Sequence, residues 1–298
     1  MIMKRTAGEK VFNVFNIVFM ILLMVITIYP LWYVIIASFS NPISVARGAV
    51  TILPDRIELD AYRNIFGQTM FFEGREFNVI WRAYANTIFY AIVGTAINMI
   101  FTILAAYPLS KLRLRGRKFI TIFFLFFMWF SAGMIPTFFN FQRLGLLDTR
   151  MAVLFAFAIN PFFIILMRTF FENIPNEMEE SARMDGASDW KILTRIYLPL
   201  STAAIATLTM FYFVGRWNAF FWAMLLLRNP LLVPLQVVLR RFIVEANFAL
   251  EHIDVADNIT IQTLIYATIV VAVVPMLAFY PFVQKFFVKG IMVGAIKG

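Results

Sequence analysis

Ser188 and Lys191 stand at the S-x-x-K spacing of some acylating serine enzymes, in which a lysine lies beside the serine nucleophile. The pair falls inside the stretch EESARMDGASDWKILTRIYLPL, Glu179 to Leu200, where a serine ahead of a helix serves more simply as its cap. Other chemistry-bearing residues are scarce. The chain has no cysteine, which excludes disulfides, thiol nucleophiles and thiolate-held zinc, and His252 is its only histidine, which excludes a histidine metal pair. None of its eight lysines is followed by Ser or Thr, and no Gly-x4-Gly-Lys frame exists, so the chain shows no nucleotide-phosphate loop. There is no G-x-S-x-G and no H-E-x-x-H either. No catalytic constellation and no metal set are expected. Arg216, beside Trp217 and Asn218 in an otherwise apolar run, is a different kind of candidate. A cation there either hydrogen-bonds a polar solute passing through a membrane or pairs with a neighbouring helix, and both readings stand.

The elements that must position these residues are membrane helices. Of 298 residues, 61% are hydrophobic, 35 are Phe and only 14% are charged, whereas a soluble domain is roughly 45–50% apolar. Six segments have the ~20 mostly apolar residues that a helical crossing requires: about 11–39, 84–109, 119–139, 151–171, 200–227 and 263–287. Pro30, Pro136, Pro161 and Pro275 lie within them and are expected as kinks. The basic start at Lys4, Arg5 and Lys10 is that of a signal peptide, but the apolar run behind it is too long and lacks a small-residue cleavage site, so a retained first span is expected.

Charge sets the topology. KLRLRGRK, Lys111 to Lys118, has no acid, nor does the end of the chain around Lys285, Lys289 and Lys297. The 40–82 connection balances five arginines with Asp55, Glu58, Asp60, Glu73 and Glu76. Positive-inside then puts both termini and residues 172–199 in the cytoplasm, and the net charge of +9 reflects topology rather than nucleic acid; KLRLRGRK reads as an anchor. The fold class expected is thus an all-α integral membrane protein of six transmembrane helices, a single domain over 1–298, with a cytoplasmic segment at 175–199 between the fourth and fifth.

That segment reads as an elbow. Asn176 is the expected cap of a short helix, with Glu179 closing a capping box and Glu177, Glu179 and Glu180 at the positive end of the dipole. Gly186 ends the helix in a left-handed turn, Ser188 caps the next one, and Pro199 suits entry to the fifth span. Met178, Ala182, Met184, Trp190 and Leu193 give the elbow apolar surface for a groove on another protein.

E-S-A-x3-G-x9-I-x-L-P, from Glu180 to Pro199, resembles the EAA loop of ATP-binding-cassette importer permeases, every spacing matching, with Ser181 in place of the central alanine. KFFVKGIMVGAIKG, GMIPTFFNFQRLGLLDT, GRWNAFFWAMLLL, PLQVVL and SFSNP are similar to the smaller permease subunit of maltose-type carbohydrate importers. The resemblance implies that Glu179, Glu180, Ser181, Ala182, Asp185, Gly186, Ala187, Ile196, Leu198 and Pro199 form a coupling helix that docks on a separate ATPase. It implies also that the tail residues Gly290, Gly294, Lys297 and Gly298 reach between two ATPases. ATP and magnesium would sit on those partners, with no cofactor in this chain. The other partners implied are a second, homologous permease, a solute-binding protein outside and membrane lipid. Pro234, Gln236, Arg240 and Arg241 are then candidates for contact with the binding protein, and Arg216, Trp217 and Asn218 for the cargo path. The cargo would be a carbohydrate, Arg216 with Arg240 and Arg241 hinting at an acidic oligosaccharide, and the location a prokaryotic cell membrane. The competing class is an ion-coupled secondary transporter, which would need intramembrane acids; the six spans contain none.

Overall fold

The computed structural model describes residues 7–252 and 261–278. These form two units, one from the residues up to Gln68 with Leu239–Val274, the other from Thr69–Val238 with the residues from Pro275 on.

In the first unit, α1 (Ala7–Ser38) is apolar around its whole circumference, as a helix in lipid must be, and Pro30 lies inside it. It is followed by the short helices α2 (Pro42–Ala46) and α3 (Asp60–Gly67). Asn41 caps α2, its side-chain oxygen accepting from Ile43 N–H at 3.0 Å, and Tyr62 Oη lies 2.7 Å from Ser38 Oγ.

The second unit opens with a hairpin, β1 (Thr69–Phe72) and β2 (Arg75–Asn78), paired antiparallel. Glu73 and Gly74 both have positive φ, 51° and 76°, the two-residue turn that matches strand twist. The expectation of an all-α chain is corrected here: among the described residues the fold is mostly helical, and the Glu73–Gly74 turn pair lets TMFF and REFN form this short two-stranded exception.

The frame of this unit is α4 (Val79–Ser110), long enough for a full crossing. Against it pack α8 (Pro161–Glu172) and α12 (Thr202–Asn218) through Met99, Tyr107, Met167, Phe171 and Leu208. Polar links bind the same helix elsewhere. Asn86 Nδ2 donates to the carbonyls of Leu231 and Val233 at 2.8 and 3.1 Å, and Thr102 Oγ1 meets Tyr212 Oη at 2.7 Å. Asparagines inside a membrane bundle thus join segments.

Several expected spans are broken. Residues 119–139 become α5 (Arg117–Trp129) and α6 (Met134–Arg143), bent by 115°. Gly133 at the joint has φ +80°, and Pro136 sits in the first turn of the new helix. Residues 151–171 become α7 (Arg150–Phe155) and α8, because Asn160 caps and Pro161 opens a fresh helix. Residues 172–200 supply α9 (Asn176–Met184), α10 (Asp189–Ile192) and α11 (Leu198–Leu200). After an 83° bend α12 runs to Asn218, and α13 (Phe221–Leu226) is separate. α14 (Leu235–His252) and α15 (Ile261–Ala278), with Pro275 inside it, complete the described chain. Among the described residues three helices are long and apolar enough to cross a membrane, or five spans if each bent pair is one.

Candidate coupling site

α9 begins one residue earlier than expected. Asn176 is its first helical residue and Pro175 the cap position, with no side-chain cap bond. Glu179 closes no capping box because its carboxylate is engaged inward. Its side chain is 11% exposed and pairs with Lys111, itself 9% exposed. Tyr197 Oη donates to Glu179 Oε2 at 2.8 Å, and Arg183 donates to Oε1 through Nε and a terminal nitrogen at 3.1 and 2.9 Å. Burial alone would raise the pKa of Glu179, but the hydrogen bonds from Lys111, Tyr197 and Arg183 outweigh it and hold the carboxyl below its ordinary value. Burial moves Lys111 the other way for a cation: it lowers the ammonium pKa, and Glu179 only partly restores it.

The turn after α9 follows the sequence. Gly186 has φ +74°; its N–H donates to Arg183 O at 2.9 Å and that of Ala187 to Ala182 O at 2.9 Å. This pair of bonds is the Schellman closure, which needs a left-handed residue at the glycine. Ser188 then caps α10, accepting from Lys191 N–H, so the serine of the S-x-x-K spacing has a structural role. Between α10 and α11, Leu193–Tyr197 is a π-helical turn in which Leu198 N–H donates to Leu193 O. Pro199, which has no N–H and crowds the carbonyl of the preceding turn, follows directly.

This folding sorts the motif into two faces. Ala182, Ala187, Ile196 and Leu198 pack on the core below. Glu180, Ser181, Asp185, Gly186 and Pro199 are exposed. Glu177, Glu180, Ser181 and Met184 fall at helical spacing i, i+3, i+4, i+7, so they share one outward face. Met178 and Met184 are 43% and 88% exposed and Trp190 is 65% exposed. The elbow therefore presents methionines and a tryptophan among acids. Ala182 and Leu193, expected on that surface, are turned inward instead.

Arg216 lies at the other end of α12. Its guanidinium is held by Asn98 Oδ1 at 2.7 and 3.2 Å, by Val153 O at 2.6 Å and by Leu154 O at 2.9 Å. Those carbonyls belong to the last turn of α7, which ends at Phe155 and leaves them without helical partners. Arg216 thus caps a broken span from another helix. Gly94 makes room: a Cβ there would stand 2.9 Å from Arg216 Nε. Trp217 is buried and its indole N–H has no partner among the described residues, while Asn218 is exposed. Pro234 is buried, Gln236 half-buried, and Arg240 and Arg241 are exposed on α14. Gly290, Gly294, Lys297 and Gly298 lie outside the described residues.

The profile of a family described as "Binding-protein-dependent transport system inner membrane component" matches residues 92–293. Protein LplC of Bacillus subtilis (strain 168) is 40% identical over 99% of this chain and 98% of its own. The polygalacturonan/rhamnogalacturonan transport system permease protein YtcP of the same organism is 37% identical over 97% of this chain and 99% of its own. A solved bacterial ABC transporter involved in the import of the acidic polysaccharide alginate superposes with a TM-score of 0.83 at 38% identity, covering 95% of this chain and 99% of that one.

Proposed function

The chain belongs to the family of binding-protein-dependent transport system inner membrane components, and on that premise we propose that it is the permease subunit of an ATP-driven importer of acidic oligosaccharides. Carbohydrate import is supported by two relatives alike along nearly the whole chain. The acidic character is supported by the polygalacturonan and alginate in the names of two of them. In this reading the 298 residues act as one non-catalytic permease domain in a prokaryotic cell membrane, with six spans and both termini in the cytoplasm. It pairs with a second permease, receives cargo from a solute-binding protein, and is driven by two ATPases that hold the ATP and magnesium.

The observation that carries the coupling role is the sorted elbow. Its small and aliphatic motif residues hold it to the bundle, while Glu177, Glu180, Met178, Met184 and Trp190 face outward. A cleft that is apolar at its floor and basic at its rim complements that face. ATP-driven closure of two such clefts would tip the bundles between outward- and inward-facing states, with two distant sites biasing one two-state element. The ion-coupled alternative gives way to the family, and the spans offer no acid to bind an ion. Purification from the native membrane in mild detergent, with mass spectrometry of stoichiometric partners, tests the assembly. A second permease and an ATPase are expected; recovery of the chain alone or as a homodimer in several detergents would contradict it.

A further inference from the structure

We propose that Lys111 is a positioning residue of the coupling device: it clamps the elbow to the end of α4, so that movement of α9 is passed directly into the long helix. This rests on the coupling role given above. In sequence Lys111 opens a basic run that needs no function beyond anchoring topology, and an anchoring lysine keeps its ammonium in water or among headgroups. Lys111 does not. Its side chain is nine-tenths buried, with Nζ paired to Glu179, 3.5 Å from the centroid of the Tyr197 ring and 4.4 Å from that of Tyr107. Tyr107, Tyr197 and Phe171 meet edge to face at 5.2–6.2 Å, so the ammonium and its carboxylate stand on an aromatic floor. A charge buried at that depth is tolerated only with a close partner, which makes the pair a fixed distance rather than a loose surface contact.

The rest of the run repeats the pattern. Arg113 pairs with Asp189 at the start of α10, and Asp189 also takes Arg183 from α9. Arg117 pairs with Glu172 at the end of α8. Three of the five cations in KLRLRGRK therefore face acids of the elbow and of α8, while Arg115 and Lys118 are exposed. Tyr197 enters the clamp from the π-helical turn, a form of backbone frequent at functional sites. The elbow is thus tied on one side to α4 by Lys111 and continues on the other into α12 through a turn already released from regular helix.

The test uses the assembled transporter in liposomes, with a single cysteine at Asn218, the far end of α12; the chain has no cysteine of its own. In the otherwise unaltered protein, trapping ATP on the ATPases should change the rate at which a thiol reagent labels that cysteine. Lys111→Met should shrink the ATP-dependent change about tenfold, within the usual range of coupling energies, while ATP hydrolysis per assembled complex persists. Adding Glu179→Gln to Lys111→Met should make matters no worse, since the two act as one unit. A full ATP response in Lys111→Met would overturn the proposal. So would a response lost only in step with hydrolysis and the amount of complex, the mark of a merely structural role. A second measurement stands apart from the ATPase. In the purified chain alone, amide exchange across residues 176–184 should quicken about tenfold in Lys111→Met while α12 is unchanged. Unchanged exchange would dismiss the clamp even if the importer reading holds, and failure of the unaltered chain to bind any ATPase would dismiss that reading while the exchange result still judges the clamp.

Discussion

Arg216→Met should lower the apparent melting temperature of the purified protein by about 5–10 °C, and Arg216→Lys should recover little of it. The guanidinium reaches three acceptors at once: Asn98 Oδ1 and the carbonyls of Val153 and Leu154. Each buried acceptor stripped of its donor costs about 1–3 kcal/mol. Removing a charge from a site that has no carboxylate among the described residues returns part of that, leaving a net loss of roughly 2–4 kcal/mol. At this chain length a loss of that size corresponds to a shift of about 5–10 °C. Lysine fails as a substitute because a single ammonium cannot span acceptors on α4 and α7 as a planar fork does. The same experiment separates the two roles that the sequence leaves open for Arg216. Lost stability with lost uptake marks a cap on the broken fourth segment. Full stability with lost uptake would instead mark direct contact with cargo.

Glu180→Arg should weaken capture of the ATPase by roughly 10- to 100-fold, or about 1.4–2.8 kcal/mol. Glu180 is exposed at the centre of the outward face of α9, beside Met184 and one turn from Glu177. Reversal of its charge would set like charges against the basic rim proposed for the partner and leaves the fold alone, since the side chain takes no part in the inner network of Lys111, Glu179 and Tyr197. The loss should shrink as ionic strength rises, because an exposed charge is screened within about 8–10 Å in physiological salt. Binding measured between the detergent-solubilised permease pair and its ATPase reads both effects. Unchanged affinity across salt concentrations would remove Glu180 from the interface.

Glu179 and Glu180 show how far residue types reach. Both are acids near a helix start, and one step around the helix, about 100°, separates a buried, paired carboxylate from an exposed one. Composition cannot tell them apart. The face could have been found from spacing, for Glu179, Ala182 and Arg183 share a side, and the small Ala182 marks where the helix lies close to the bundle. Gly186 and Ser188 were legible because their roles are local: a left-handed turn and a cap depend on the adjacent backbone alone. The cap expected at Asn176 failed because Pro175 starts the helix early and Glu179 has a stronger partner in Lys111.

The prolines divide in the same way. Pro30 and Pro275 lie within helices as expected. Pro161 opens α8 behind the cap of Asn160, and Pro136 follows Gly133 into α6. Asn-Pro is a local start signal that an apolar run hides when only hydropathy is counted. Arg216 stood out at once as an ion in an apolar helix. Its partners did not, because two of them are backbone carbonyls exposed by a break in a distant helix.

The most direct measurement places one cysteine at Met184, which is 88% exposed on the outward face of α9, in a chain otherwise free of cysteine. A membrane-impermeant thiol reagent would be applied to vesicles of each orientation, with and without the ATPase. The coupling account predicts labelling from the cytoplasmic side only, with protection once the ATPase is bound. Labelling from the outer face, or labelling from the cytoplasmic side that the ATPase leaves untouched, would contradict it.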